Sequence, residues 1–290
     1  MNGLALFAGA AGLELGIKSA FPNARTVCYV EGEAFSASIL VTQMEKGGLD
    51  PAPIWSNVIT FDGKPWRGKV DFISAGFPCQ PWSIAGKQEG IKDERWLWGH
   101  IIRIIGEVRP RFVFLENVPG LLNGGASPVF GSLASLGFNC EWSTLRASKV
   151  GAPHHRDRVF ILAARPEEWG SLADAQRARL EGRRDAGQSE ERESGHCGAP
   201  SNTVEDLPLL LRLLVHQAPA PRPRMRMPSH RRMDGEPLLD WWAVEPRLGR
   251  MADRVADRVD RLRAIGNGVV PQQASAAYGL LALRGGGLID

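Results

Sequence analysis

A cysteine between two prolines is the first candidate for chemistry in this sequence. Cys79 follows an apolar β-type run at residues 70–75 and lies between Pro78 and Pro81. In a doubly wound α/β sheet, ligands and reacting groups collect in the loops that follow the carboxyl ends of the strands. A cysteine there becomes a nucleophile where nearby cations or a helix start favour the thiolate. The alternative, a small buried cysteine in a turn, is weakened by the prolines, which stiffen the loop and do not suit a strand interior.

A glutamate and a pair of arginines form the second candidate. Glu116 ends an apolar β-type run, where partial desolvation would raise its pKa and let it share a proton with a ring nitrogen at neutral pH. Arg156 and Arg158 would point to the same face of a strand and would need anions or carbonyl oxygens there. Structural alternatives stay open for both. Glu116 could be a capping or turn residue, and the arginines could pair with Asp157 or Glu141.

Two further features indicate a nucleoside cofactor. Residues 6–12 are rich in glycine and alanine and lie between a β-type run and a helical stretch, so the backbone there could approach a nucleotide-like ligand. Glu31 closes the second β-type run, where an acidic side chain can bind ribose hydroxyls. The loop departs from the G-x-G-x-x-G pattern, and these two features alone do not separate NAD from S-adenosylmethionine.

The elements that carry these residues alternate between β-type and helical patterns. β-type runs are predicted at residues 3–7, 25–31, 69–75, 111–116 and 159–164, and helices at residues 12–20, 34–45, 96–108 and 129–136. This alternation predicts an α/β fold with a doubly wound, mostly parallel sheet.

The second half of the chain is less regular. From about residue 165 to residue 241 the periodicity is lost, and helical patterns return at residues 257–265 and 272–283. We therefore predict a main domain and a smaller, irregular second domain. The predicted domains are residues 1–165 plus 257–290 and residues 166–256.

Composition and charge are compatible with nucleic-acid binding without requiring it. The 290 residues are 43% hydrophobic, which is enough for one large domain and a smaller one. The net charge is +3 and the pI about 8.8. Between Pro219 and Asp234, five arginines stand among four prolines with one acidic residue opposing them, a stretch suited to a phosphate backbone. A solvated basic loop is the alternative.

Several other classes of protein are disfavoured. The four cysteines lie far apart and form no CxxC pair, so neither a disulfide framework nor a zinc site is indicated. No third ligand at sensible spacing supports a metal site at His154 and His155. No apolar run reaches the roughly 20 residues of a membrane helix, and the first residues lack the pattern of a signal peptide. We therefore expect a cytoplasmic protein that binds no metal and no membrane.

Taken together and in this order, the motifs resemble those of the cytosine-5 DNA methyltransferase family. The Pro-Cys-Gln and Glu-Asn-Val motifs are highly specific, and a Gly-Asn motif near the carboxyl end is a third, independent match. The matching segments are residues 7–9, Glu31, residues 76–81, residues 116–118, Arg156 with Arg158, and residues 264–271. The resemblance implies the Rossmann-like fold of class I S-adenosylmethionine-dependent methyltransferases, with a target-recognition domain in the irregular region.

The resemblance also implies a role for each of the candidate residues. Cys79 would attack carbon 6 of a cytosine flipped out of the duplex, and Glu116 would hold ring nitrogen 3 and the exocyclic amine. Arg156 and Arg158 would steady the cytosine carbonyl and the Glu116 side of the pocket. The residues implied to bind the S-adenosylmethionine cofactor are Phe7, Gly9, Gly12, Glu31, Asn57, Val58, Pro78 and Asn267.

Three positions depart from the family pattern. Ala11 replaces a glycine usual in the cofactor loop, and its methyl group could crowd the backbone near the methionine part of the cofactor. Asn57 stands where an aspartate is usual, so an amide oxygen would bind the adenine amine. His154 replaces a glutamine that commonly precedes the arginine pair. These changes bear on the affinity for the cofactor more than on the reaction type.

The function that the sequence favours is methylation of carbon 5 of cytosine in double-stranded DNA, by a monomer with a possible cognate restriction endonuclease as partner. One alternative is a tRNA cytosine-5 methyltransferase of the same family, which would carry a Cys-Phe-Thr segment that this chain lacks. A second is a non-catalytic nucleic-acid-binding relative, against which stands the presence of Cys79, Glu116 and Arg158. An NAD oxidoreductase is disfavoured by the missing glycine pattern.

Overall fold

The computed structural model describes residues 1–78, 96–191 and 266–289. Its strands are β1 (Asn2–Leu6), β2 (Arg25–Val30), β3 (Ile54–Trp55), β4 (Phe72–Gly76), β5 (Phe112–Asn117), β6 (Asn139–Arg146) and β7 (Asp157–Ala164). Its helices are α1 (Gly12–Ala20), α2 (Ala34–Glu45), α3 (Trp98–Val108), α4 (Ala126–Ser135), α5 (Trp169–Glu191) and α6 (Pro271–Gly285). Cys79, the predicted helix at residues 257–265 and the basic stretch at residues 219–234 lie outside the described ranges.

The strands form one seven-stranded sheet in the order β3-β2-β1-β4-β5-β7-β6. The first five strands in that order run parallel, and β7 runs antiparallel to both β5 and β6. Residues of β5 are buried throughout its length, as is typical of a strand covered on both faces of a parallel sheet. The predicted α/β fold with a mostly parallel sheet is confirmed.

Helices cover both faces of this sheet. On one face, α1, α5 and α6 pack over side chains that alternate along the central strands, such as Phe72, Phe112 and Phe114. On the other face, α3 and α4 pack over the residues between them, such as Ile73 and Val113. This alternation follows from the strand geometry, in which successive side chains point to opposite faces. Among the described residues, no helix is long and apolar enough to cross a membrane.

The sheet contains two strands that the sequence patterns did not predict. β3 has only two residues, which is too short to produce a recognisable period. β6 lies at the edge of the sheet, and most of its side chains are half-buried or exposed. Since an edge strand packs weakly against the core, its sequence carries little of the apolar enrichment that marks a buried strand. β3 was therefore not predicted because it is short, and β6 because it is exposed at the edge of the sheet.

The expectation that regular structure ends at residue 165 is wrong, because α5 follows immediately. Three of its residues, Trp169, Leu172 and Leu180, are buried in the cluster formed with α1 and α6, and Ala173 is buried beside them. Their spacing is that of one face of a helix, but the charged residues between them obscure that pattern in the sequence. The fold of the predicted second domain and the boundary between the two domains stay predictions, since most of residues 166–256 lie outside the described ranges.

Candidate active site

Glu116 lies at the carboxyl end of β5 and is only 6% exposed. Its register partner on the neighbouring strand is Gly76, near the end of β4. A β-carbon added to Gly76 would lie 3.4 Å from Oε2 of Glu116, so the glycine leaves room for the carboxylate above the sheet. The end of β4 also leads into the loop that carries Cys79, which places Glu116 beside the start of that loop.

Arg158 forms a buried ion pair with Glu116. Its Nε lies 2.7 Å from Oε1 of Glu116, and the two side chains are 16% and 8% exposed. The two atoms are close, but the N–H is not aligned for a hydrogen bond, so the contact is an ion pair. Asp157, the alternative partner, bonds instead to Arg146 with an Nε–Oδ1 distance of 2.8 Å.

The pKa of the Glu116 carboxyl is raised above its ordinary value, because burial penalises the charged form. The positive charges of Arg158 and Arg156 oppose this rise. A raised pKa favours the protonated carboxyl, which can donate a hydrogen bond to a ring nitrogen and accept one from an exocyclic amine. Such a group is suited to share a proton with a heterocyclic base.

Arg156 lies one residue before β7 and reaches a different part of the chain. Its Nη1 donates a hydrogen bond to the carbonyl of Gly266 over 2.6 Å. The next residue, Asn267, is exposed and stands just before the segment that leads into α6. Arg156 thus links the start of β7 to the Gly-Asn motif near the carboxyl end of the chain.

Asn117 holds the backbone that leads into the Cys79 loop, and the sequence analysis gave this residue no role. Its buried Nδ2 donates to the carbonyl of Phe77 over 3.2 Å. The Phe77 ring packs against Trp96 and Trp98, with ring centroids 5.9 Å and 5.5 Å apart. These contacts fix the backbone immediately before Pro78. The position of Asn117, directly after Glu116 at a strand end, was the signal available in the sequence.

Glu31 and the loop after β1 form a cradle suited to a nucleoside. The backbone amides of Gly9 and Glu33 each donate a hydrogen bond to the Glu31 carboxylate, both over 2.7 Å. Gly9 has a φ of 54°, and a β-carbon added there would meet no described residue within 4 Å. Within the described ranges the space above Gly9 is open, and each oxygen of Glu31 keeps acceptor capacity that two ribose hydroxyls could use.

The other residues predicted at the cofactor site have varied settings. Phe7 and Pro78 are half-buried, and Phe7 has a φ of 54°. Asn57 is exposed and its side-chain oxygen accepts a 2.9 Å hydrogen bond from the amide of Ile59, while Val58 is buried. A β-carbon on Gly12 would overlap the carbonyl of Val269, so Gly12 allows the segment before α6 to pack closely on α1.

Ala11 does not crowd the loop in the way that its replacement of a glycine suggested. The residue is fully buried and its methyl group packs in the apolar cluster that includes Ala5, Tyr29 and Leu40. Its φ of 61° lies in the left-handed region, which costs an alanine more than a glycine. The departure from the family pattern therefore affects backbone strain rather than the space open to a ligand.

Glu14 is a second buried carboxyl on the same side of the sheet, and the sequence did not single it out. Its Oε1 accepts a 2.7 Å hydrogen bond from the hydroxyl of Ser74, two residues before Gly76 on β4. Burial raises the pKa of Glu14 to about 7, and the negative charge of Glu31 adds to the rise. Two buried acidic groups with raised pKa values, Glu14 and Glu116, thus lie on the same face of the sheet, near the carboxyl ends of β4 and β5.

Comparison with known proteins gives consistent family matches. The model of the C-5 cytosine-specific DNA methylase family matches residues 1–196. The type II methyltransferase M.CviJI of Paramecium bursaria Chlorella virus IL3A is 35% identical over 171 residues, which are 57% of this chain and 44% of that protein. M.NgoMIV of Neisseria gonorrhoeae is 33% identical over 168 residues, which are 57% of this chain and 52% of that protein. The chain spans about half the length of these relatives.

Solved structures with similar coordinates include two DNMT2 proteins. A mutant DNMT2 of Spodoptera frugiperda has a TM-score of 0.46 and 24% identity, covering 57% of this chain and 50% of that one. The Dnmt2 methyltransferase of S. pombe has a TM-score of 0.47 and 20% identity, covering 57% of this chain and 51% of that one.

Proposed function

Because the chain belongs to the C-5 cytosine-specific DNA methylase family, we propose that it methylates carbon 5 of cytosine in duplex DNA with S-adenosylmethionine as the methyl donor. The observation that carries the proposal is the buried Glu116 carboxyl beside the start of the Cys79 loop. It forms an ion pair with Arg158, and the positive charge of Arg156 acts on it as well. We also propose that the enzyme acts as a monomer and that a restriction endonuclease is its functional partner, as the type II names of its relatives suggest.

The Glu116 pocket suits a cytosine ring. The protonated carboxyl would donate to ring nitrogen 3, while its other oxygen would accept from the exocyclic amine. The two guanidiniums would face the ring carbonyl, which only accepts hydrogen bonds. Because the carboxyl is 6% exposed, a base inside a duplex could not reach it, so the target nucleotide must be flipped out of the stack.

The proposed reaction begins with a thiolate at Cys79. Its sulfur forms a bond to carbon 6, and the displaced electron pair makes carbon 5 nucleophilic while Glu116 stabilises the charge at nitrogen 3. S-adenosylmethionine, when bound, supplies the methyl group that carbon 5 takes up. Removal of the proton from carbon 5 then re-forms the ring double bond, breaks the carbon–sulfur bond and returns the thiolate.

The cradle after β1 fits the proposed cofactor. The Glu31 carboxylate is fixed by the amides of Gly9 and Glu33 and would bind the ribose hydroxyls. A ligand above Gly9 would displace no side chain of the described residues. The remaining positions proposed at the cofactor are Phe7 and Gly12, which would shape the pocket with Gly9, Asn57 and Val58 near the adenine, Pro78 beside the methionine part, and Asn267 closing the site.

The test is expression in a host free of DNA methylation, followed by bisulfite sequencing of the host DNA. The wild type is expected to protect cytosines in one sequence context. Purified enzyme should also form a covalent adduct with duplex DNA containing 5-fluorocytosine in that context, because fluorine replaces the carbon-5 proton whose loss is needed to break the bond between Cys79 and carbon 6. Labelling of tRNA instead of DNA would reassign the substrate.

Two variants make this test specific for the nucleophile. Cys79→Ser should lose turnover by several orders of magnitude, because an alcohol is far less ionised than a thiol at neutral pH. Cys140→Ser is the matched control, since Cys140 is a free thiol on β6, away from the Glu116 pocket. Full activity in Cys79→Ser, or absence of both methylation and adducts in the wild type, would refute the proposal.

A further inference from the structure

Gln273 is a fully buried polar residue on α6 that the proposed reaction does not use. Its relative exposure is 0%. The side-chain Nε2 donates two hydrogen bonds, to the carbonyl of Leu145 over 2.7 Å and to the carbonyl of Arg156 over 2.9 Å. Both partners are carbonyl oxygens, so the nitrogen must be the atom that faces them. One amide therefore joins α6 to the two strands at the edge of the sheet.

The two carbonyls lie where the β6–β7 ladder opens. Leu145 pairs in register with Arg158, and the last pair before the connection joins Arg146 to Asp157. The Arg156 carbonyl also accepts a 3.0 Å hydrogen bond from the amide of Ala147. The backbone of Arg156 is thus held from two directions, by the connection between the strands and by Gln273.

The side chain of Arg156 is anchored to the segment that precedes the same helix. Its Nη1 bonds to the carbonyl of Gly266, a few residues before α6 begins at Pro271. Arg156 is therefore held at both ends. Gln273 on α6 bonds to its backbone, and the segment before α6 bonds to its guanidinium. Two residues further along, Arg158 forms the ion pair with Glu116.

The position of α6 is itself closely defined. A β-carbon added to Gly16 on α1 would lie 2.5 Å from the β-carbon of Ala274, the residue next to Gln273. Such close packing leaves little freedom for α6 to shift against α1. A donor on this helix can therefore act as a fixed reference point for the strands that carry the arginines.

We propose that Gln273 is a positioning residue that sets the backbone of Arg156, and through it the Arg158–Glu116 ion pair, for binding of the target cytosine. The inference rests on the proposed function, since it assigns a purpose to the same pocket. The Oε1 of Gln273 is buried without a hydrogen-bond partner among the described residues. Burying such an acceptor costs stability that an apolar side chain would not, so the two bonds made by the nitrogen account for a residue that packing alone disfavours.

The first test replaces the donors while keeping the size of the side chain. Gln273→Met should lower kcat on cognate duplex DNA by about tenfold, because small displacements of catalytic groups have large effects on rate. The KM for S-adenosylmethionine should change by less than about twofold, since Gln273 bonds to Leu145 and Arg156 and not to the cradle formed by Gly9, Glu31 and Glu33. Ser275→Ala is the matched control. Ser275 is a buried residue of the same helix whose hydroxyl has no partner in the part of the chain that is described, so its kcat should equal that of the wild type.

A second variant gives a readout that a merely structural role would not move. In Gln273→Glu the side chain can donate to a carbonyl only when it is protonated. Its kcat relative to the wild type should therefore rise as the pH is lowered, while the ratio for Ser275→Ala stays constant. Thermal unfolding is measured first. If the methionine variant is unfolded at the assay temperature, the glutamate variant decides alone, and a ratio that does not vary with pH would overturn the inference.

A double-mutant cycle asks whether the effect passes through the Arg158–Glu116 ion pair. In an Arg158→Ala background, Gln273→Met should cause little further loss of kcat, because the ion pair that Gln273 positions is already absent. An undiminished loss in that background would overturn the inference, as would an unchanged kcat in Gln273→Met alone. An inactive wild type would refute the proposed function instead, so the two failures are distinguishable.

Discussion

The stability of this protein should fall as the pH rises from about 4.5 to about 7, because Glu14 is buried in its neutral form. Burial raises the pKa of this carboxyl from 4.5 to about 7, against the lowering effect of its hydrogen bond from Ser74. In the unfolded chain the group titrates at its ordinary pKa, so between these two values the folded state holds a proton that the unfolded state has lost. The stabilising effect is complete below the unfolded pKa and is lost as the pH rises through the folded one.

The magnitude follows from the size of the shift. One pKa unit corresponds to about 1.4 kcal/mol, so a rise from 4.5 to about 7 corresponds to about 3 kcal/mol of unfolding free energy. This loss is a large fraction of the roughly 5–15 kcal/mol that stabilises a typical domain. Tyr29, which lines the small cavity beside Glu14, has its pKa raised to about 12 and stays neutral throughout the range. Lys18 and Asp50, also at this cavity, pair with each other over 2.7 Å.

The assay is urea unfolding of the wild type and Glu14→Gln at several values between about pH 5 and about pH 8. Glutamine keeps the volume and the acceptor for the Ser74 hydroxyl but has no proton to lose. Relative to the wild type, the variant should therefore gain about 3 kcal/mol on going from the acid to the alkaline end. Glu45→Gln is the control, since Glu45 is exposed at the end of α2. Parallel pH dependences for the wild type and Glu14→Gln would refute the reasoning.

Two further substitutions test the backbone around the site. Ala11→Gly should change the unfolding free energy by less than about 1 kcal/mol, because relief of the left-handed φ of 61° offsets the loss of a buried methyl group. Urea unfolding measures it, and a loss of several kcal/mol would mean that packing dominates. Asn117→Leu removes the donor to the Phe77 carbonyl and should slow adduct formation on 5-fluorocytosine DNA at least about tenfold. An unchanged single-turnover rate would exclude a role in aligning the Cys79 loop.

The central strands and several helices could be predicted because their burial pattern is written locally. The helices at residues 12–20 and 34–45 have the predicted bounds, and the strands β4 and β5 are apolar runs covered on both faces. β6 and α5 were missed for the opposite reason. Their outer surfaces meet solvent, and the charged or polar residues there hide an apolar face that becomes visible only when its partner is known.

The site divides in a similar way. Glu116 could be singled out because a carboxylate at the end of an apolar strand is unusual in the sequence itself. Glu14 and Gln273 could not, because an acidic or amide residue on a helix is usually exposed. Their burial depends on partners far along the chain, such as Ser74 for Glu14 and Arg156 for Gln273. A sequence pattern indicates which face of a helix or strand is apolar. It does not show which residues from elsewhere in the chain pack on that face, and these contacts are what bury Glu14 and Gln273.

The charges around Glu116 bear on how the proposed reaction proceeds. The described part of the pocket holds one carboxyl and two guanidiniums, so it is positive whether or not Glu116 is ionised. Attack by a thiolate would add negative charge to the ring, and a pre-organised positive pocket stabilises that charge more than it stabilises the neutral base. The arginines can stabilise this charge only if they do not both form ion pairs with the Glu116 carboxylate. Arg158 pairs with Glu116, but the Nη1 of Arg156 bonds to the carbonyl of Gly266 and its backbone to Gln273. In the proposed reaction the positive charge of Arg156 would act on the ring carbonyl of the flipped cytosine, beside the Arg158–Glu116 ion pair.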